Sequence, residues 1–157
     1  MAFPALRAEL DSQVLQLLGD LEELEAKRTA LNARVEEGWL LLAKARYAMG
    51  AKSVGPLQYA SRMEPQVCVR ARGPSSLLFQ RKGPVKTPES ESSAAPKDPL
   101  NWFGILVPHS LRQAQASFQD GLQLAADIAS LQTRITRGQS QLRGLQKKLK
   151  ELDPGPA

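Results

Sequence analysis

From Leu10 to Met49 apolar side chains recur in alternating steps of four and three, through Val14, Leu17, Leu21, Leu24, Leu31, Val35, Leu42 and Ala45. A 3.5-residue period held over about five heptads marks a helix that packs lengthwise against another helix. Pro4 suits a first helical turn and Gly50 a left-handed stop, so the pattern predicts a helix over 4–49. Heptad position a falls to Val14, Leu21, Arg28, Val35, Leu42 and Met49, and position d to Leu10, Leu17, Leu24, Leu31, Gly38 and Ala45. Arg28 either carries its charge out to solvent along its aliphatic stem, the reading favoured here, or fixes register through a buried contact. At Gly38, beside Trp39, the seam loosens or admits a bulky neighbour.

A second repeat occupies the other end of the chain. Ser110 and Gln113 fit a capping box, and Asp153-Pro154-Gly155-Pro156 fits a stop, which predicts a helix over 110–152. From Leu124 the heptad runs through Ile128, Leu131, Ile135, Gly138, Leu142, Leu145, Leu149 and Leu152. Before it, Leu111, Phe118, Leu122 and Ala125 lie on a slightly rotated stripe, so a register shift is expected near Gly121.

Each helix would be about 60 Å long at 1.5 Å per residue, and matched lengths suit a hairpin. Charge favours the antiparallel form. Asp20, Glu22, Glu23 and Glu25 lie in the first half of helix one, and Arg134, Arg137, Arg143, Lys147, Lys148 and Lys150 in the second half of helix two. Exposed pairs contribute only about 0–1 kcal/mol each, so charge selects orientation and the aliphatic seam supplies stability.

Between the helices, residues 50–97 are rich in Pro, Gly and Ser and read as a flexible connector, with Thr87 to Ala95 as a polar, disordered stretch. The proline spacing argues against a helix or sheet domain there. A short docking segment is possible at 53–63, through Val54, Leu57, Tyr59 and Met63. The island at 98–108 gathers Leu100, Trp102, Phe103, Ile105, Leu106 and Val107. So much apolar area must dock, either on the hairpin or on a partner for which Trp102 and Phe103 are the natural anchors. The expected fold is therefore all-α: a long antiparallel coiled-coil hairpin of two helices with a largely disordered connector.

Composition narrows the chemistry. Among 157 residues there is one His, His109, and one Cys, Cys68, both in Pro- and Gly-rich surroundings that preorganise no site. An enzyme is argued against, and no catalytic, cofactor-binding or metal residues are expected. A lone Cys allows no internal disulfide and fits a reducing compartment. Leu15 to Leu18 is soon broken by Asp20, Glu22 and Glu23, so no signal-peptide core is expected, and the longest apolar stretch in the middle of the chain, Phe103 to Val107, is far short of the roughly 20 residues that span a bilayer.

The net charge of +5 raises nucleic acid as a partner, but the basic end of helix two has no aromatic residues to stack bases and faces an acidic helix. It also lacks the interfacial Trp or Phe of a membrane-surface helix, so membrane contact is expected only through a partner. A generic coiled-coil scaffold and a nucleic-acid-binding helical protein remain the alternatives. The candidate protein-interaction residues are Val14, Leu17, Leu21, Leu24, Leu31, Val35 and Leu42 of the first helix, Trp102 and Phe103 of the island, and Ile128, Leu131, Ile135, Leu142, Leu145 and Leu149 of the second helix.

Long runs add a resemblance to these periodicities. Leu6-Arg-Ala-Glu-Leu-Asp-Ser12 through Glu25, Tyr47 to Tyr59, Asp98 to Pro108 and Ser110 to Phe118 together resemble the family of coiled-coil vacuolar-ATPase assembly factors found from yeast to animals. Val69 to Gln80 departs from the family's pattern, and the connector is shorter than in longer relatives. The resemblance implies a non-catalytic factor without cofactors that joins a membrane-anchored partner, transmembrane protein 199 in animals. It implies help in building the membrane sector of the proton pump, from the cytosolic face of the endoplasmic reticulum, the ER-Golgi intermediate compartment, COPI vesicles, endosomes and lysosomes. Links to lysosomal and endosomal acidification, Golgi homeostasis, glycosylation and iron homeostasis follow from the same resemblance.

Overall fold

The computed structural model describes residues 3–71, 77–81, 98–153 and 155. Two helices dominate, α1 (Phe3–Met49) and α2 (His109–Leu152), packed along one another in opposite directions as the expected all-α hairpin. Gly50 ends α1 at φ +93°, where it donates its N–H to the Arg46 carbonyl at 2.9 Å. The α2 cap differs from the expected capping box. Pro108 takes the cap position without a side-chain hydrogen bond, and Ser110 lies buried one residue inside the helix.

The strict heptad of α1 holds for one of its two rows. Leu10, Leu17, Leu24, Leu31, Gly38 and Ala45 all turn toward α2 and are buried or half-buried. The second row lies in the interface at Val14 and again at Val35, Leu42 and Met49; between them, Asp20 and Lys27 take the inward places while Leu21 and Arg28 stay exposed. A straight helix drifts about 20° per heptad against a 3.5 repeat, which carries one row out of the interface as another rotates in.

On α2 the expected register shift at Gly121 is absent. The buried positions Leu111, Ala114, Ser117 and Gly121 run on into Ile128, Leu131 and Ile135, whereas Leu122 and Ala125 point to solvent. Small residues hold the seam there. A Cβ added at Gly121 would lie 3.6 Å from Leu31 Cδ1 and 3.9 Å from Val35 Cγ2, an ordinary packing distance.

The closed end of the hairpin holds a small core. Ala45, Val54, Leu100 and Leu111 are buried together, with Leu42, Met49, Phe103 and Val107 packed against them. A 3-10 turn at Pro99–Phe103 delivers Leu100 and Phe103, and Asp98 caps it by accepting the Leu100 N–H at 3.1 Å and a Gln115 Nε2 bond at 3.0 Å. Much of the island therefore docks on the hairpin itself. Of the 53–63 segment, Val54 is in this core while Leu57 and Met63 are exposed.

The connector is not free of sheet, contrary to the reading from its prolines. Strands β1 (Val67–Ala71) and β2 (Leu77–Arg81) pair antiparallel, with Val69 opposite Phe79, and β2 lies close to α2. Proline excludes a strand only where it interrupts the ladder; the intervals between Pro65, Pro74 and Pro84 each leave room for five residues, and Val67-Cys68-Val69 has strong strand preference. Thr87 to Ala95 lies outside the described residues.

Candidate partner-binding surface

Charged side chains spaced by seven lock the two helices in register. Asp20, Lys27 and Arg34 on α1 meet Arg134, Asp127 and Asp120 on α2, at 2.9, 3.3 and 3.3 Å. Each step of seven up one helix is a step of seven down the other, so a slip by a heptad would oppose Lys27 to Arg134 or Asp20 to Asp127. Arg134 also reaches Glu23 at 3.2 Å, and Gln123 holds the second oxygen of Asp127 at 3.0 Å. Asp20 is the buried member, its side chain only 12% exposed, so the Arg134 contact satisfies a carboxylate with little water around it. The other rungs are half-exposed and contribute specificity more than stability.

A cleft of about 210 Å³ between the helices is lined by Gln13, Leu17, Asp20, Arg134, Gly138 and Gln141, among others. It is smaller than the roughly 300–1,000 Å³ of small-molecule pockets. Among the described residues, no group of three or more His, Cys, Asp or Glu is placed to hold a metal, and no helix is long and apolar enough to cross a membrane.

Most of the predicted interaction residues face the seam. Ile128, Leu131, Ile135 and Leu145 are buried, and Val14, Leu17, Leu24, Leu31, Val35, Leu42, Leu142 and Leu149 are half-buried between the helices. Phe103 packs into the closed-end core; Trp102 is half-buried, with its ring 5.7 Å from that of Tyr59. Leu21, 41% exposed, is the predicted α1 residue that remains open to an outside partner.

The free apolar surface lies instead on the back of α1. Leu15 and Leu18, 69% and 57% exposed, extend Leu21, at the edge of the seam, into an exposed leucine stripe, and Leu40 and Tyr47 continue the exposed apolar positions toward the closed end. Heptad reasoning passed over Leu15 and Leu18 because they stand one residue off the repeat, inside the unusually apolar run Val14-Leu15-Gln16-Leu17-Leu18. The charged rungs Lys27, Arg34, Asp120 and Asp127 were passed over as well, although their seven-residue spacing and mirrored signs are visible in the sequence.

The chain is similar to a family described as Vma22/CCDC115, over residues 11–93 and 75–121. It is 74% identical over 180 residues to the vacuolar ATPase assembly protein VMA22 of Mus musculus and 71% over 180 residues to that of Homo sapiens, covering 100% of both chains in each case. The Danio rerio protein of the same name is 35% identical over 170 residues, which cover 80% of this chain and 82% of that protein. The mammalian alignments extend over 180 residues against 157 here, so part of each relative has no counterpart in this chain. On the match to the family and the similarity to these proteins over their whole length, the chain belongs to the Vma22/CCDC115 family.

Proposed function

We propose that this chain is a non-catalytic assembly factor for the vacuolar proton-transporting ATPase, working as a rigid helical rod that holds a membrane-sector intermediate until assembly is complete. The reading rests on the whole-length similarity to proteins named as vacuolar ATPase assembly proteins. Leu15, Leu18 and Leu21 are the surface on which a partner helix would pack: the seam residues are already spent on the hairpin, whereas these three lie in water at helical spacing.

The partner we assign to the stripe is a membrane-anchored protein, transmembrane protein 199 in animals. It supplies the bilayer-spanning anchor and brings the rod to the cytosolic face of the endoplasmic reticulum, and onward to the ER-Golgi intermediate compartment, COPI vesicles, endosomes and lysosomes. Support for acidification of lysosomes and endosomes, and through it Golgi and iron homeostasis, is the downstream consequence of a completed pump. Affinity purification of the chain from detergent-solubilised membranes tests the reading. Recovery of transmembrane protein 199 and membrane-sector subunits is expected, and their absence under conditions that keep the pump's own subunits together contradicts it.

A further inference from the structure

At the closed end of the hairpin the chain pushes two aliphatic side chains into solvent between two that are packed inside. Phe103 and Val107 lie against the core of Ala45, Val54, Leu100 and Leu111. Ile105 and Leu106, between them, are 94% and 89% exposed. Gly104 makes the outward turn at φ +138°, a conformation open to glycine. With an anchor on either side, the pair forms a wedge whose place on the rod is fixed by the core behind it.

Aromatic rings lie beside the wedge, and the segments that build the closed end are rich in exposed cations. Tyr59 has its ring 5.7 Å from Trp102 and 6.3 Å from Phe103, and is itself half-exposed. Lys44, Arg46, Lys52, Arg62, Arg70 and Arg112 are all exposed in the segments 44–71 and 98–115. The acids of those segments are Glu64, which pairs with Arg62 at 3.4 Å, and Asp98, which is engaged by the Leu100 N–H and Gln115.

We propose that the closed end of the rod is a peripheral membrane contact, in which Ile105 and Leu106 enter the hydrocarbon edge of an anionic bilayer, Tyr59 and Trp102 sit at headgroup depth, and exposed cations of the segments 44–71 and 98–115 face lipid phosphates. Aliphatic side chains suit hydrocarbon because their transfer is non-directional, whereas protein interfaces favour aromatic and Arg anchors, and the exposed tip here is aliphatic. Aromatic rings with polar edges and an excess of exposed cations in the same segments match the interfacial layer. The proposal goes beyond the assembly reading and does not depend on it.

Flotation of the full chain with phosphatidylcholine vesicles, with and without phosphatidylserine, tests the contact. At low salt the chain floats with the phosphatidylserine vesicles at least about tenfold better than with phosphatidylcholine alone. Replacing the wedge, Ile105→Asp with Leu106→Asp, lowers that binding at least about tenfold and leaves the thermal melt unchanged, because both side chains are already in water. Ile105→Trp with Leu106→Trp retains binding. Trp39→Phe leaves Trp102 as the sole tryptophan, and brominated lipid then quenches its fluorescence. The proposal is overturned by a wild-type chain that floats with neither vesicle, by undiminished binding of the doubly acidic variant, or by vesicle-bound protein whose Trp102 is not quenched. Loss of a detergent-soluble protein partner by the acidic variant, with no wild-type vesicle binding, would assign the wedge to that protein instead.

Discussion

A Cβ added at Gly38 would lie 2.9 Å from the ring of Phe118, closer than a side chain tolerates. Phe118 lies over the helix at the point where α1 offers no side chain, and Trp39 meets the same ring edge-on with centroids 5.6 Å apart. The glycine that breaks the heptad is thus the socket for an aromatic of the same chain. Gly38→Ala should destabilise, since an overpacking cost of roughly 1–3 kcal/mol outweighs the alanine's helical gain of about 1 kcal/mol. In a Phe118→Ala background the same change should stabilise by about 1 kcal/mol. Thermal melts of the four proteins give the cycle, and an unchanged sign would count against the socket.

The long helices, their antiparallel order and one row of the α1 seam were legible because periodicity and charge placement act over dozens of residues. The other row departs in its middle because the helix does not follow a 3.5 repeat throughout: Leu21 is assigned inward where Asp20 lies, while Arg28 is exposed as its favoured reading has it. Small residues hid the continuity of α2, since Ala114 and Gly121 fill the seam without registering as apolar markers. The hairpin of β1 and β2 fits within the intervals between prolines, which a count of prolines alone does not reveal. Leu15 and Leu18 were passed over for a related reason: a seam template selects residues that face the other helix, and an outer surface is made of those that do not.

Arg134 should matter more than an ordinary surface arginine. Its loss leaves Asp20 buried without its cation, so Arg134→Ala should cost about 1–3 kcal/mol, while Asp120→Ala, whose Arg34 partner keeps Glu37 at 2.9 Å, should cost less than about 1 kcal/mol. Replacing both Asp20 and Arg134 with leucine should recover most of the loss. Urea denaturation of the set measures the ranking.

The two aromatics of the island should separate. Phe103→Ala removes a ring from the closed-end core and should lower stability by about 2–4 kcal/mol; Trp102→Ala, at a half-buried ring against Tyr59, should cost roughly half of that. Equal losses in thermal denaturation would contradict the packing described.

Chain direction can be checked without a partner. Leu17 Cδ1 lies 3.5 Å from where a Gly138 Cβ would be, so Leu17→Cys with Gly138→Cys, in a Cys68→Ser background, should cross-link through a short bismaleimide within one chain at low protein concentration. A product at twice the monomer mass, in place of the internal one, would indicate helices paired between chains.

The central claim is that the inner seam builds the rod and the outer leucine stripe of α1 holds the assembly partner. The most direct measurement compares Leu15→Ser/Leu18→Ser/Leu21→Ser with the wild-type chain by affinity purification from detergent-solubilised membranes, together with a thermal melt of each. The account predicts a melting temperature within a few degrees of wild type and loss of transmembrane protein 199 and the pump's membrane-sector subunits. Undiminished recovery of those subunits by a folded triple variant would contradict it.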